Sequence, residues 1–276
     1  MTLLQAIVLA IVQGATEFLP ISSTAHLVLV PWIFGWQDPG LTFDVALHAG
    51  TLVALLVYFA TTWWSLLIGL FTGKAQELAV LDGVENPRRL LGLLVLGTIP
   101  GALGGYFLEP YAETVFRSPR LVAFALIIVA LVMWMADQLP SLARKLNQVD
   151  LGDTVSVGLA QALAVIPGVS RAGITIAAGM FRGLERETAA RFSFLLATPI
   201  IAGAAMKEMA EMSVLGLPAG VSTHEMAVGF AVSALTGFAA IWFLLRYLQH
   251  RTLKIFVAYR VVLGIIILVY ELLQAS

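Results

Sequence analysis

The chain has 276 residues, 59% of them apolar and 12% charged, with a formal net charge of -1 and no cysteine. A mean hydropathy of +0.91 excludes an ordinary soluble domain and points to an integral membrane protein. Disulfides, thiol catalysis and cysteine-ligated zinc are excluded with the cysteines, and the scattered basic residues form no stripe of the kind nucleic acid requires. At about 20 residues per helical crossing, there is room for roughly six to eight crossings and no separate soluble domain. Residues 1–276 are therefore read as one membrane domain.

The opening "MTLLQAIVLAIVQGATEF" lacks a basic n-region and a small-residue cleavage site, so it is expected to belong to the mature protein. It begins an apolar stretch, 2–34, that Pro20 cuts in the middle. Plain helices are expected at about 41–60, 89–108 and 120–138. A second interrupted stretch, 154–180, is cut at Pro167-Gly168, and further helices are expected at about 190–207, 226–246 and 254–273. The halves of each interrupted stretch are too short or marginal for a crossing, so each is read as a re-entrant helical hairpin with a turn buried in protein or wet.

The two parts of the chain echo one another. "QGATEFLPISS" is matched by "QALAVIPGVS", "FDVAL" by "FSFLL", "GALGGYF" by "GFAAIWF" and "LVAF" by "FVAY", all in the same order. Each part then holds one hairpin and three crossings, and an odd number of crossings inserts the second part upside down. The fold expected is an all-α polytopic membrane protein built as an inverted repeat of about 1–139 and 153–276.

Lys74, Arg88, Arg89, Arg144, Lys145, Arg182, Arg186, Arg191, Arg246, Arg251 and Lys254 fall on one side, against Arg117, Arg120 and Lys207 on the other. Eleven against three places the first side in the cytoplasm. Both termini and the opening of the first hairpin then lie outside, and the second hairpin rises from the cytoplasm to meet the first.

Chemistry concentrates at the two breaks. Gln13 and Glu17 share a helix face just before Pro20, and Ser22, Ser23 or Thr24 is placed to cap the helix that follows, with Ser23 and His26 on one face of its first turn. In "PGVSRAGIT", Ser170 is placed to cap a helix that carries Arg171 and Thr175 one turn apart. Two helix N-termini and an arginine make an anion site, and a divalent cation would reconcile Glu17 with a bound phosphate. Taken singly, the hydroxyls read as simple caps and His26 as an interior hydrogen-bonded side chain. Ionisable Glu17 and Arg171 at membrane depth are costly, which argues for function.

Other features carry blander readings. Trp63-Trp64 and Trp32/Trp36 suit interfacial belts, the arginines of "FRGLERETAARF" suit topology signals, and Arg260 suits snorkelling from the last helix. Asp44 and His48, one turn apart, are candidates to border the site.

"QGATEFLPISSTAH" and "PGVSRAGIT" together resemble the two signature motifs of the bacterial undecaprenyl-diphosphatase, or bacitracin-resistance, family. The resemblance implies removal of the terminal phosphate of undecaprenyl diphosphate with a divalent cation, Mg2+ or Ca2+, in the bacterial inner membrane. It implies catalytic roles for Glu17, Ser23, His26 and Arg171, phosphate contacts from Gln13, Ser22, Thr24, Gly168, Ser170, Arg171 and Thr175, and a metal at Glu17. Ser23 would attack phosphorus with His26 or Glu17 as base, or a metal-activated water would attack directly. The family pattern has serine where Ala172 stands, and Gln13 leaves one motif carboxylate. The implied partners are a polyprenyl diphosphate lipid and the membrane, with room for a homodimer. A type-2 phosphatidic-acid phosphatase is ruled out because the first histidine after Ser170-Arg171 is His224. The rival reading is a secondary transporter or flippase for a polyprenyl phosphate, since broken helices in inverted repeats are a transporter design.

Overall fold

The computed structural model describes the chain except residues 38–39, 73–83, 113–117, 141, 216–221 and 276. Lys74 and Arg117, two of the charges used for orientation, lie outside the described residues. Among the described residues there are eleven α-helices and no strand: α1 (Leu3–Phe18), α2 (Ser23–Phe34), α3 (Leu41–Tyr58), α4 (Ala60–Thr72), α5 (Pro87–Ala112), α6 (Pro119–Asp137), α7 (Leu151–Leu163), α8 (Arg171–Phe181), α9 (Arg186–Leu215), α10 (Thr223–Leu248) and α11 (Lys254–Ala275). The protein is a multi-pass membrane protein: α5, α6, α9, α10 and α11 each contain a segment long and apolar enough to cross a bilayer.

Local chemistry explains most boundaries. Thr2 and Gln5 form a capping box at the start of α1, as do Asp150 and Asp153 at α7 and Ser222 and Glu225 at α10. Proline opens α5 and α6, where its missing N–H costs nothing. Gly35, in the left-handed region, ends α2. The helix expected at 41–60 stops at Tyr58, and α4 leaves it at 72°. Neither proline nor glycine lies at that bend, and nothing in "VYFAT" marks it. The interfacial reading of the tryptophan pair changes with it, because Trp63 on α4 packs against the main core while Trp64 is 59% exposed.

The two interrupted stretches fold as the short helix pairs α1/α2 and α7/α8, and their packing partners are exchanged. Hairpin helix α1 lies on α10, hairpin helix α7 on α5, while α3 meets α9 and α6 meets α11. The approaches are close in both places: a Cβ on Gly14 would stand 2.8 Å from the Gly237 nitrogen, and one on Gly158 would stand 2.6 Å from the Gly97 oxygen. This reciprocity is what an inverted repeat requires.

Arg260 corrects the snorkelling expectation. It is fully buried, and its guanidinium donates to the carbonyls of Pro20 (3.3 Å), Gly168 (2.7 Å), Val169 (3.2 Å), Leu126 (3.2 Å) and Ala125 (3.5 Å). Breaking a helix in an apolar medium leaves carbonyls without N–H partners, and one arginine supplies donors to the turns of both hairpins. The arginines read as topology signals are also specifically paired. Arg144 and Arg182 both bond buried Asp153, Arg186 bonds Asp137, and Arg191 bonds Glu187.

Candidate active site

Glu17 ends its helix facing inward, 7% exposed, and four elements deliver partners to it. Ser23 Oγ, at the first position of α2, donates to Glu17 Oε2 at 2.6 Å. Arg171 Nη2, at the first position of α8, donates to Oε1 at 2.6 Å. Gln13 Nε2, one turn back on α1, donates to Oε2 at 3.1 Å. His48, on α3, places Nε2 3.4 Å from Oε2, while its Nδ1–H donates to the Asp44 carbonyl at 2.7 Å. The carboxylate is thus held between a hydroxyl nucleophile candidate and a cation contributed by the other hairpin.

The residues that present these side chains are strained. Ser22 and Ser170, the N-caps of α2 and α8, are the only non-glycine residues with positive φ among the described residues, at 77° and 68°. Each accepts from the main chain three residues on, Ala25 N–H at 3.4 Å and Gly173 N–H at 3.1 Å. Conformations of this kind cost ~1–3 kcal/mol each and persist where surrounding structure enforces them, here at two helix N-termini turned toward one space.

That space is a cavity of about 300 Å³. Its polar wall is Glu17, Ser22, Ser23, Thr24, His48, Gln161, Ser170 and Arg171; its apolar wall includes Val45, Ala164, Val165, Ile200, Ile201 and Ala204. A polar end that can hold an anion, continuing into an apolar wall, suits an amphiphile with a charged head.

Not every expected residue reaches it. His26 is committed elsewhere: Nδ1–H donates to the Ser22 carbonyl at 2.6 Å, and in that tautomer Nε2 accepts from the Tyr259 hydroxyl at 2.6 Å. Thr175 is fully buried, bonding the Arg171 carbonyl at 2.6 Å and the Ser193 hydroxyl, so it supports α8 from behind. Gly168 offers its carbonyl to Arg260. Gln13 stands behind Glu17, not on the cavity wall. Conversely, Gln161 lines the cavity without having been singled out as a site residue, its signal being only the echo of Gln13. His48, expected only as a candidate neighbour, is inside the site, and Asp44 supports it through its main chain.

Among the described residues no three His, Asp or Glu side chains gather in one place, so a cation here would draw few ligands from the protein. The available donors suit a hard divalent ion. Glu17 offers two oxygens, and the buried Oε1 of Gln13 has no hydrogen-bond partner. Phosphate oxygens and water would complete such a shell, as Mg2+ in particular prefers.

The model of a family described as Bacitracin resistance protein BacA matches residues 6–266. An undecaprenyl-diphosphatase of Moorella thermoacetica is 49% identical over 275 residues, covering 97% of each chain. One of Desulforudis audaxviator is 48% identical over 270 residues, covering 98% of each, and one of Geobacter sulfurreducens is 45% identical over 271 residues, again covering 98% of each. The paired signature motifs, the exchanged hairpins and this end-to-end likeness converge on one conclusion: the chain belongs to the bacitracin-resistance BacA family.

Proposed function

We propose that the protein is a membrane phosphatase that hydrolyses undecaprenyl diphosphate to undecaprenyl phosphate and inorganic phosphate, recycling the lipid carrier for peptidoglycan synthesis. The observation that carries the reading is the 2.6 Å hydrogen bond from Ser23 to a carboxylate whose other oxygen is held by Arg171. A serine needs a base to attack phosphorus, and Glu17 already accepts its proton-bearing bond. His26, with both nitrogens engaged, is assigned the role of fixing the Ser22 main chain at the α2 N-terminus.

In the proposed sequence the diphosphate enters with its terminal phosphate against Arg171 and the N-termini of α2 and α8. It competes with Glu17 for Arg171, which frees the carboxylate to take the Ser23 proton. Ser23 Oγ bonds the terminal phosphorus, the anhydride P–O bond breaks, and prenyl monophosphate departs with the electron pair and with the proton that Glu17 had taken. Water then attacks the phosphoserine as Glu17 takes its proton, the Oγ–P bond breaks, Glu17 returns the proton to Ser23 Oγ, and inorganic phosphate leaves. Ser22, Thr24 and Ser170 are assigned as contacts to the phosphate oxygens; Gln13 orients Glu17, and Gly168 and Thr175 act through the loop and helix they support. A bound Mg2+ or Ca2+, which Glu17 would hold, would neutralise the charge that develops on the phosphate oxygens.

The same reading places both termini and the cavity mouth outside the cell, divides the repeat at about 1–139 and 153–276, and allows a homodimer. It is favoured over a flippase by the nucleophile and base pair, which binding alone would not need.

The test is phosphate release from a prenyl diphosphate by the purified protein in detergent, with and without a chelator. Chelation stops release and added Mg2+ or Ca2+ restores it. Glu17→Ala and Arg171→Ala insert normally and lose activity by ~10³-fold or more, the scale on which transition-state charge stabilisation is lost. Wild-type rates in either variant overturn the reading.

A further inference from the structure

Gln161 stands in the last turn of α7, only 3% exposed, and lines the same cavity as Glu17 and Ser23. Neither its Oε1 nor its Nε2 has a hydrogen-bond partner. A primary amide buried among apolar groups loses its hydration without recompense, so its persistence calls for a ligand that completes it. The neighbouring helix is shaped around it: a Cβ on Gly101 of α5 would stand 2.8 Å from Gln161 Nε2 and 3.1 Å from Cγ.

The first hairpin uses its matching amide differently. Gln13 spends its Nε2 on Glu17, four residues on. Four residues on from Gln161 is Val165, which offers the amide nothing and itself lines the apolar wall with Ala164 and Ile201. The second hairpin therefore repeats the amide without the acid, and its amide hydrogens are left for the occupant of the cavity.

Resting on the phosphatase reading above, we propose that Gln161 binds the phosphate that the lipid keeps. The terminal phosphate must sit at Ser23, Glu17 and Arg171, where attack occurs. The prenyl chain must follow the apolar wall. The inner phosphate lies between them, beside Gln161, whose Nε2 donates to one of its oxygens. Gln161 is thus a binding residue that sets how a prenyl phosphate is held, and takes no part in bond breaking.

The two reaction products separate the two subsites. Binding of farnesyl monophosphate and of inorganic phosphate is measured on the purified full-length protein in detergent, by ligand-induced thermal shift, for wild type, Gln161→Met and Gln161→Asn. Methionine keeps the shape and removes the donors; asparagine retracts the amide. The expected result is farnesyl monophosphate affinity lowered ~10-fold in both variants, the worth of a hydrogen bond to a charged group, with inorganic phosphate affinity unchanged. The KM for farnesyl diphosphate rises by a similar factor while kcat changes little. Unchanged monophosphate affinity, or an equal loss for both ligands, overturns the proposal. If both variants fail to run as monodisperse protein, Gly101→Ala, which displaces the amide from the α5 side, is read by the same criterion. Because the readout is binding, a protein without phosphatase activity would sink the hydrolytic reading and leave this measurement standing on its own.

Discussion

Arg171 reaches Glu17 through one nitrogen only, Nη2 to Oε1, leaving the other donors of its guanidinium uncommitted on the cavity wall. A fork held in this way can engage a phosphate through two parallel bonds, which an ammonium cannot do. Arg171→Lys therefore keeps the charge and still loses ~10²-fold in kcat/KM, measured as phosphate release from a prenyl diphosphate; retention within a few-fold would mean that charge alone suffices. Residues such as Glu17, Ser23 and Arg171 were legible in the sequence because polar groups in apolar runs are expensive and broken helices expose them. His48 was legible only as a neighbour, since its direction depends on how α3 packs on α1. His26 and Thr175 sit in the motifs yet turn their polar atoms to Tyr259 and Ser193, a choice made for His26 by a helix far away in the chain and for Thr175 by the helix that follows its own.

At the scale of elements, proline and capping chemistry announce both hairpins, while nothing in the sequence signals the α3/α4 bend. The role of Arg260 is hidden in the sequence for a related reason. Its place near the start of α11 suggests a route to the interface, and only the packing of α11 on α6 brings it to the two turns. Replacing it removes the donors to the Pro20, Gly168 and Val169 carbonyls of the two turns, besides those to Ala125 and Leu126 within α6. An unsatisfied buried polar group costs ~1–3 kcal/mol, so the three turn carbonyls alone make Arg260→Leu destabilising by ~3 kcal/mol or more. Thermal unfolding in detergent, followed by tryptophan fluorescence, checks this. The loss falls on both hairpins, so phosphate release drops with it; a variant as stable as wild type would mean that the turns hold themselves.

Across the whole molecule, large apolar side chains such as Phe71, Leu235 and Leu272 stand 81%, 73% and 68% exposed, more than water would tolerate in a monomer but ordinary against lipid. Lipid contact does not say which way the protein faces; loop charge does. The two ends of α10 make the test simple, because His224 in its first turn and His250 just beyond its last are both exposed, and the chain has no cysteine to give background. Arg246, Arg251 and Lys254 cluster at the His250 end. Placing that end in the cytoplasm predicts that a membrane-impermeant maleimide labels His224→Cys in intact cells and labels His250→Cys only after permeabilisation. The reverse pattern would turn the cavity toward the cytoplasm, and the phosphatase would then act on lipid of the inner leaflet. Because α10 is a continuous helix between the two positions, a single crossing separates them, and labelling of both from outside would mean that α10 does not span the membrane.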